Sequence, residues 1–298
     1  MNSLDEIGSD PLWRPVKYSL FAPAHGDSLI HERKGYGRAL AALYEFLRFG
    51  VKQAWACLFA GIMLALILGT RYAYPEWLPL PRYDFLFLSA LVVQAALLAF
   101  RMETLDEAKI ILIYHVVGTV MEIFKTNMGS WIYPEPSFFH IGGVPLFTGF
   151  MYSCIGSYLC RVWRLFDFKF THHPSKWALL ALSGLIYLNF FAHHYLPDMR
   201  IGLFALTALL FARTRVYFRP WQVYRSMPLL IGFVLVALFI WFSENIGTFT
   251  RTWVYPAQMH GWSPVSLGKL GSWFLLMIIS YSLVVLINKP TEQARNTA

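Results

Sequence analysis

The chain has 298 residues, of which 57% are hydrophobic, 17% aromatic and only 14% charged. A soluble protein carries about 25% charged residues, so this chain cannot cover itself with polar surface; a disordered chain, a disulfide scaffold and an ordinary cytosolic enzyme are excluded. The net charge of +8 points to basic membrane loops rather than to nucleic acid, because Lys and Arg crowd the cytoplasmic connections of multi-pass proteins.

Residues 1–35 mix Asp5, Glu6, Asp10, Arg14 and Lys17 with Pro11, Pro15 and Pro23 and hold no early apolar core, so a signal peptide is not expected. Tyr36, Leu40, Leu43, Tyr44 and Leu47 follow at helical spacing with Arg38 and Arg48 beside them. This predicts an interfacial amphipathic helix closing a cytoplasmic arm over 1–50. Apolar runs then recur near 53–73, 84–101, 108–126, 144–163, 177–196, 200–213, 227–245 and 267–287. Backbone groups in lipid must pair within their own segment, so each run is predicted to be a helix. The fold class expected is all-α, a polytopic membrane bundle of about eight transmembrane helices. Alternate connections hold 19 of the 25 Lys and Arg, which predicts both termini in the cytoplasm of a bacterial inner membrane. Cys57, Cys154 and Cys160 all lie in apolar runs and read as small packing residues.

Sliding the chain against itself gives one register, an offset of 122. Glu122, Thr126, Trp131, Tyr133 and Pro134 then meet Glu244, Thr248, Trp253, Tyr255 and Pro256. Trp55 meets Trp177, Pro75 meets Pro197, and Glu76 meets Asp198. Interfacial Trp and Tyr recur at any membrane surface, but a shared register for Glu, Trp, Tyr and Pro favours duplication. The expected units are two parallel four-helix repeats, 51–172 and 173–288, with a cytoplasmic tail over 289–298.

Glu122 and Glu244 each stand inside an apolar run, where a carboxylate is costly and faces a cavity or a partner. In a dry pocket such a group can deliver a proton and take it back. The plain alternative is pairing with a neighbour: Lys125 lies one helical turn from Glu122, and Arg251 shares a loop region with Glu244. Pro134 and Pro256 end their helices and leave Trp131, Tyr133, Trp253 and Tyr255 at headgroup depth, as an anchoring belt or as walls of an opening to the acids. The segment from Glu135 to Pro145 is rich in Pro and Gly, so re-entry is open to it where protein covers its backbone. His140, His193, His194 and His260 gather on one side, yet no HxxxH or HxxEH spacing marks a metal set. Neither a metal nor a cofactor is expected. His115 precedes Glu122 by two turns and reads as a packing residue or a site neighbour. His172 and His173 read as solvated. Gly149, Ser153 and Ser157 give small-xxx-small spacing for close helix packing.

The run His115-x-x-Gly-Thr-x-x-Glu122-x-x-Lys125, then Gly129-Ser-Trp-x-Tyr-Pro and Gly143-Val-Pro-Leu146, resembles the uncharacterised bacterial membrane family called domain of unknown function 817. That resemblance implies an integral membrane protein and no particular activity. More locally, Glu122 through Leu146 is similar to the carotenoid hydratase family, in which a membrane Glu precedes a Gly-aromatic-x-Tyr element and a later Gly-Val-Pro-Leu. By that resemblance Glu122 is a proton donor to an isoprenoid double bond. The corresponding place in the second half reads Val265-Ser266-Leu267.

Three functions are therefore expected in descending order. The first is an acid/base enzyme acting on a lipid or isoprenoid from the outer leaflet. Glu122 and Glu244 would be its catalytic pair, and Trp131, Tyr133, Trp253, Tyr255, His115, Lys125 and His140 its substrate-binding groups. The second is a proton-coupled transporter, and the third a structural or assembly protein. The partners expected are membrane lipid and a small lipophilic substrate.

Overall fold

The computed structural model describes residues 36–75 and 77–292. The arm expected before residue 36, the Glu76 half of the Glu76–Asp198 correspondence and the last six residues lie outside the described residues. Among those described are nine α-helices in chain order. They are α1 (Tyr36–Ala56), α2 (Leu58–Ala73), α3 (Arg82–Ala99), α4 (Leu105–Asn127), α5 (Phe147–Phe166), α6 (Lys176–Ala192), α7 (Arg200–Phe211), α8 (Leu229–Phe249) and α9 (Leu267–Ile287).

The sequence marks many of these boundaries chemically. The Thr104 hydroxyl accepts from Glu107 N, and the Glu107 carboxylate accepts from Thr104 N. This capping box is worth about 1 kcal/mol at the start of α4. Pro81 and Pro228 precede α3 and α8, where a fixed φ and a missing N–H cost little. α1 and α2 break at Cys57 with a bend of 67°, so the first apolar run and the amphipathic stretch before it form one angled pair.

Apolar helices mark membrane association. α3, α8 and α9 are long and apolar enough to cross a membrane, and α1 with α2 counts as a fourth if the bent pair is one span. The expected eight are thus not all of spanning length and composition. α6 and α7 have 17 and 12 residues, and α4 carries Asp106, Glu107, Lys109, Glu122 and Lys125. On α8 the side chains of Ile231, Val234, Leu235, Phe239 and Phe242 are exposed, an apolar face suited to lipid.

The all-α expectation needs one correction. Short strands β3 (Lys169–Thr171), β4 (Arg215–Phe218), β5 (Arg225–Pro228) and β6 (Thr291–Glu292) form a sheet in the order β5-β4-β3-β6. A hairpin of β1 (His140–Ile141) and β2 (Val144–Pro145) closes the connection between α4 and α5. Strands of two to four residues within basic connections carry too little alternation to be read from sequence. The hairpin exposes His140 and Ile141 and buries Val144 and Pro145. It is pinned by Asp84, fully buried, which accepts from Ser137 Oγ, Phe138 N and Phe139 N at 2.7–2.8 Å.

α4 and α5 pack most closely. A Cβ on Gly118 would meet the Tyr152 ring, and one on Gly149 would meet His115 and Thr119. Ser153 Oγ donates to Ile111 O at 2.9 Å. Small residues at this spacing let the two backbones approach. Below them Arg161 and Glu103, each 1% exposed, form an ion pair at 3.2 Å that Ser157 Oγ completes. The main core joins Phe166, Phe170, Phe211, Phe233 and Tyr281 at the sheet end, each such ring contributing about 1.5–3 kcal/mol by burial. His173 joins it, and is not solvated: its Nε2 lies 2.7 Å from the Tyr281 hydroxyl. Cys154 and Cys160 are buried, whereas Cys57 is exposed.

Candidate functional site

The end of the bundle opposite the sheet is organised by two equivalent turns. At the end of α4, Gly129 N donates to Thr126 O at 2.9 Å and Ser130 N to Lys125 O at 3.0 Å. At the end of α8, Arg251 N donates to Thr248 O at 3.0 Å and Thr252 N to Gly247 O at 2.9 Å. Both are Schellman closures with a left-handed C′ residue, Gly129 at φ 68° and Arg251 at φ 55°. Each chain then extends, and the two stretches meet: Ile132 and Val254 exchange N–H···O bonds of 3.0 Å in both directions. Trp131 lies edge-on to Tyr255, with centroids 6.0 Å apart.

These turns bring the aromatic residues back over the two acids. Glu122, 5% exposed, accepts from Trp131 Nε1 at 2.8 Å, the Tyr133 hydroxyl at 2.5 Å and the Tyr152 hydroxyl at 2.8 Å. Glu244, 3% exposed, accepts from the Tyr255 hydroxyl and from Trp273 Nε1. Buried carboxyls are tolerated when such donors replace water. Burial first, and the adjoining carboxylates second, hold the Tyr133 and Tyr255 hydroxyls well above the ordinary phenol range, so both remain protonated donors.

Lys269, in the first turn of α9, places its ammonium 4.8 Å from the centre of the Trp131 ring and 4.4 Å from that of Tyr255. It interacts electrostatically with both Glu244 and Glu122. It forms no ion pair with either acid among the described residues, so its charge acts on both from beyond contact distance.

Glu122, Glu244 and Lys269 open onto one cleft of about 1,100 Å³. One face of α5, from Thr148 through Ile155 and Leu159 to Phe166, lines it, a depth of about 27 Å at 1.5 Å per residue. Phe233, Val236 and Ile240 of α8 and Gly61 and Leu64 of α2 supply much of the opposite wall. Phe46, Leu235 and Phe239 line it too and are exposed, so the cleft reaches the surface beside α1 and α8.

Trp131, Tyr133, Trp253 and Tyr255 all line this cleft; the Trp253 ring lies against Gly247, where a Cβ would meet it at 2.0 Å. Lys125 lines the cleft but does not pair with Glu122. Its Nζ reaches His193 Nε2 at 3.1 Å and His194 Nε2 at 2.8 Å and lies 4.4 Å from the Phe190 ring centre. His193 Nδ1 is 2.9 Å from Asn189 O, which makes Nδ1 the donor and Nε2 the acceptor for Lys125. Burial and then the Lys125 charge lower the His194 pKa. Arg251 is exposed and forms no ion pair with Glu244 among the described residues. His115 stands apart from the cleft, its ring 4.6 Å from Phe150 and its buried Nδ1 without a hydrogen-bond partner among the described residues. His140 stands on the exposed hairpin, its Nδ1 2.8 Å from Ser137 O. Among the described residues no group of three His, Cys, Asp or Glu could hold a metal ion.

Sequence reading missed Tyr152, Trp273 and Lys269. The signals available were a tyrosine on the Gly149–Ser153 face of α5 and a lone lysine at the start of a long apolar run. Neither says which acid it would meet.

A family model described as "Protein of unknown function (DUF817)" matches residues 45–281. The chain is 40% identical over 259 residues to "Uncharacterized protein YoaT" of Bacillus subtilis (strain 168), covering 87% of this chain and 97% of that protein. No solved structure matches. The resemblance to carotenoid hydratases is not shown by these matches.

Proposed function

We propose, for a chain that belongs to the DUF817 family, an acid/base function on a lipid or isoprenoid that enters the cleft from the bilayer. The observation that carries this reading is the single cleft that Glu122 and Glu244 share. Its walls are apolar along the length of α5, and its opening at the surface is framed by exposed Phe46 and Phe239. A water-soluble substrate would gain little from such walls; an amphiphile buries its chain there at about 25 cal/mol per Å². At the polar end, carboxyls surrounded by tyrosine hydroxyls pass a proton to a ligand and recover it. Glu122 is the proposed acid and Glu244 its partner, with Trp131, Tyr133, Trp253 and Tyr255 as walls. These groups lie at one end of the cleft, which favours chemistry on a bound molecule over coupled passage, for which a mid-depth site is usual.

The proposed setting is a bacterial inner membrane crossed by eight helices. α2–α5 and α6–α9 are read as two copies related by a two-fold axis along the membrane normal. The offset of 122 between the two Schellman turns and between Ile132 and Val254 supports this. The sheet end is assigned to the cytoplasm, since Lys169, Arg213, Arg215, Arg219 and Arg225 gather there.

The test is the lipid content of a strain lacking its own copy and carrying either the wild type or Glu122→Gln. Gln keeps a carbonyl for Trp131 and Tyr133, turns its amide NH2 toward Tyr152 and loses the titrating proton. Conversion is expected to fall by about 10²–10⁴ with substrate accumulating. Indistinguishable lipid profiles in the wild-type, Glu122→Gln and deletion strains overturn the reading.

A further inference from the structure

The polar end of the cleft has acceptors that are used and donors that are not. Both oxygens of Glu122 and both of Glu244 are already engaged by Trp and Tyr donors. Lys269 has no hydrogen-bond acceptor among the described residues; its ammonium rests on two aromatic faces. Lys125 spends N–H groups on the Nε2 atoms of His193 and His194, which carry no negative charge. Arg200 also lines the cleft, reaching Ser272 Oγ of α9 at 3.4 Å, while its Nε is held by Asp198. Lys125, Lys269 and Arg200 all line the cleft and repel one another, while Asp198 offsets Lys125 and pairs with Arg200, and Glu244 and Glu122 offset Lys269. Cations lining one cleft with N–H groups unspent suit an anion that brings its own acceptor oxygens.

We infer that the cleft takes an anionic amphiphile, a phosphate or diphosphate on a long apolar chain, with its headgroup bound by Lys269, Lys125 and Arg200. This deepens the proposed function, since it rests on the same cleft and names the class of molecule that fills it. The phosphate oxygens accept the unspent N–H groups, and the chain runs along the α5 face toward Ile155 and Leu159. Lys269 and Gly268 lie in the first turn of α9 and Arg200 starts α7, so two helix N-termini add donors of the sign an anion prefers. Lys269 is the central contact because it alone touches both aromatic walls and feels both acids. It is a binding residue, and the acid/base work stays with Glu122 and Glu244.

The test titrates the purified full chain in neutral detergent and follows tryptophan fluorescence, since Trp131, Trp253 and Trp273 line the site. The probes are farnesyl diphosphate, farnesol and inorganic diphosphate. Farnesyl diphosphate is expected to bind at least about tenfold tighter than either of the others, a difference of about 1.4 kcal/mol. Tight binding of inorganic diphosphate alone would assign the cations to a free anion and overturn the amphiphile. Equal affinity for farnesol and farnesyl diphosphate would overturn the headgroup site. Lys269→Gln is expected to reduce farnesyl diphosphate binding to the farnesol level, and Lys269→Arg to restore it, which separates lost charge from lost fold. Glu122→Gln removes a carboxyl that offsets Lys269, so farnesyl diphosphate is expected to bind it at least as tightly as the wild type. Loss of conversion with binding intact therefore isolates the acid/base reading, and loss of selectivity in the wild type isolates this one.

Discussion

Ile132 and Val254 exchange two backbone hydrogen bonds of 3.0 Å, and each follows its own Schellman turn by two residues. The bridge joins the stretches that carry Trp131 and Tyr133 on one side and Trp253 and Tyr255 on the other. It holds the two acids to one cleft, because Tyr133 reaches back to Glu122 and Tyr255 to Glu244.

The two turns are not equally comfortable. Gly129 adopts φ 68° freely, while Arg251 adopts φ 55° against the Cβ penalty of the left-handed region, about 1–2 kcal/mol. Gly129→Ala is expected to lower stability by about 1 kcal/mol, although its Cβ would meet nothing within 4 Å. Arg251→Gly is expected to be neutral or stabilising. Thermal unfolding in detergent measures both; equal destabilisation by the two changes would show that the turns do not close as described.

Gly118 sets the position of a donor to Glu122. A Cβ there would come within 2.6 Å of the Tyr152 ring, and the Tyr152 hydroxyl donates to Glu122 at 2.8 Å. Gly118→Ala is expected to destabilise by about 1–3 kcal/mol through overpacking and to reduce conversion with it. Gly184→Ala on α6 meets open space and serves as the matched control. A Gly118→Ala protein as stable and active as that control would mean that Tyr152 is not held by this contact.

His173 gives stability a pH dependence at the sheet end. Its Nδ1 donates to Pro174 O and its Nε2 accepts from the Tyr281 hydroxyl, both at 2.7 Å, an arrangement that needs the neutral ring. Burial lowers its pKa below 6.5, against the smaller opposing effects of the Pro174 carbonyl and Glu292. The unfolded chain then binds the proton more readily, so stability falls as pH drops through about 6.5 and the loss is complete below the depressed folded value. Above that window the group contributes no slope. The melting temperature of the wild type minus that of His173→Gln, followed from about pH 8 to about pH 5.5, is expected to decrease with falling pH. A constant difference would mean that the ring protonates alike in the folded and unfolded chain.

The sequence alone determined the helices and the paired motif. Hydrophobic runs and Pro and Gly signals act over a few residues, so α3 to α9 fall within a few positions of their expected ranges. The Glu-to-Pro spacing recurs at 122 because local turn chemistry is written in consecutive residues. Tertiary structure decided what the motif touches. Lys125 is one helical turn from Glu122 but is drawn to His193 and His194, since side chains on one helix compete with partners that another helix brings nearer. Tyr152, Trp273 and Lys269 reach the acids from α5 and α9 across contacts that no local pattern encodes. The four-stranded sheet arises in the same way, because Lys169–Thr171 becomes a strand only when Arg215–Phe218 and Thr291–Glu292 arrive to pair with it.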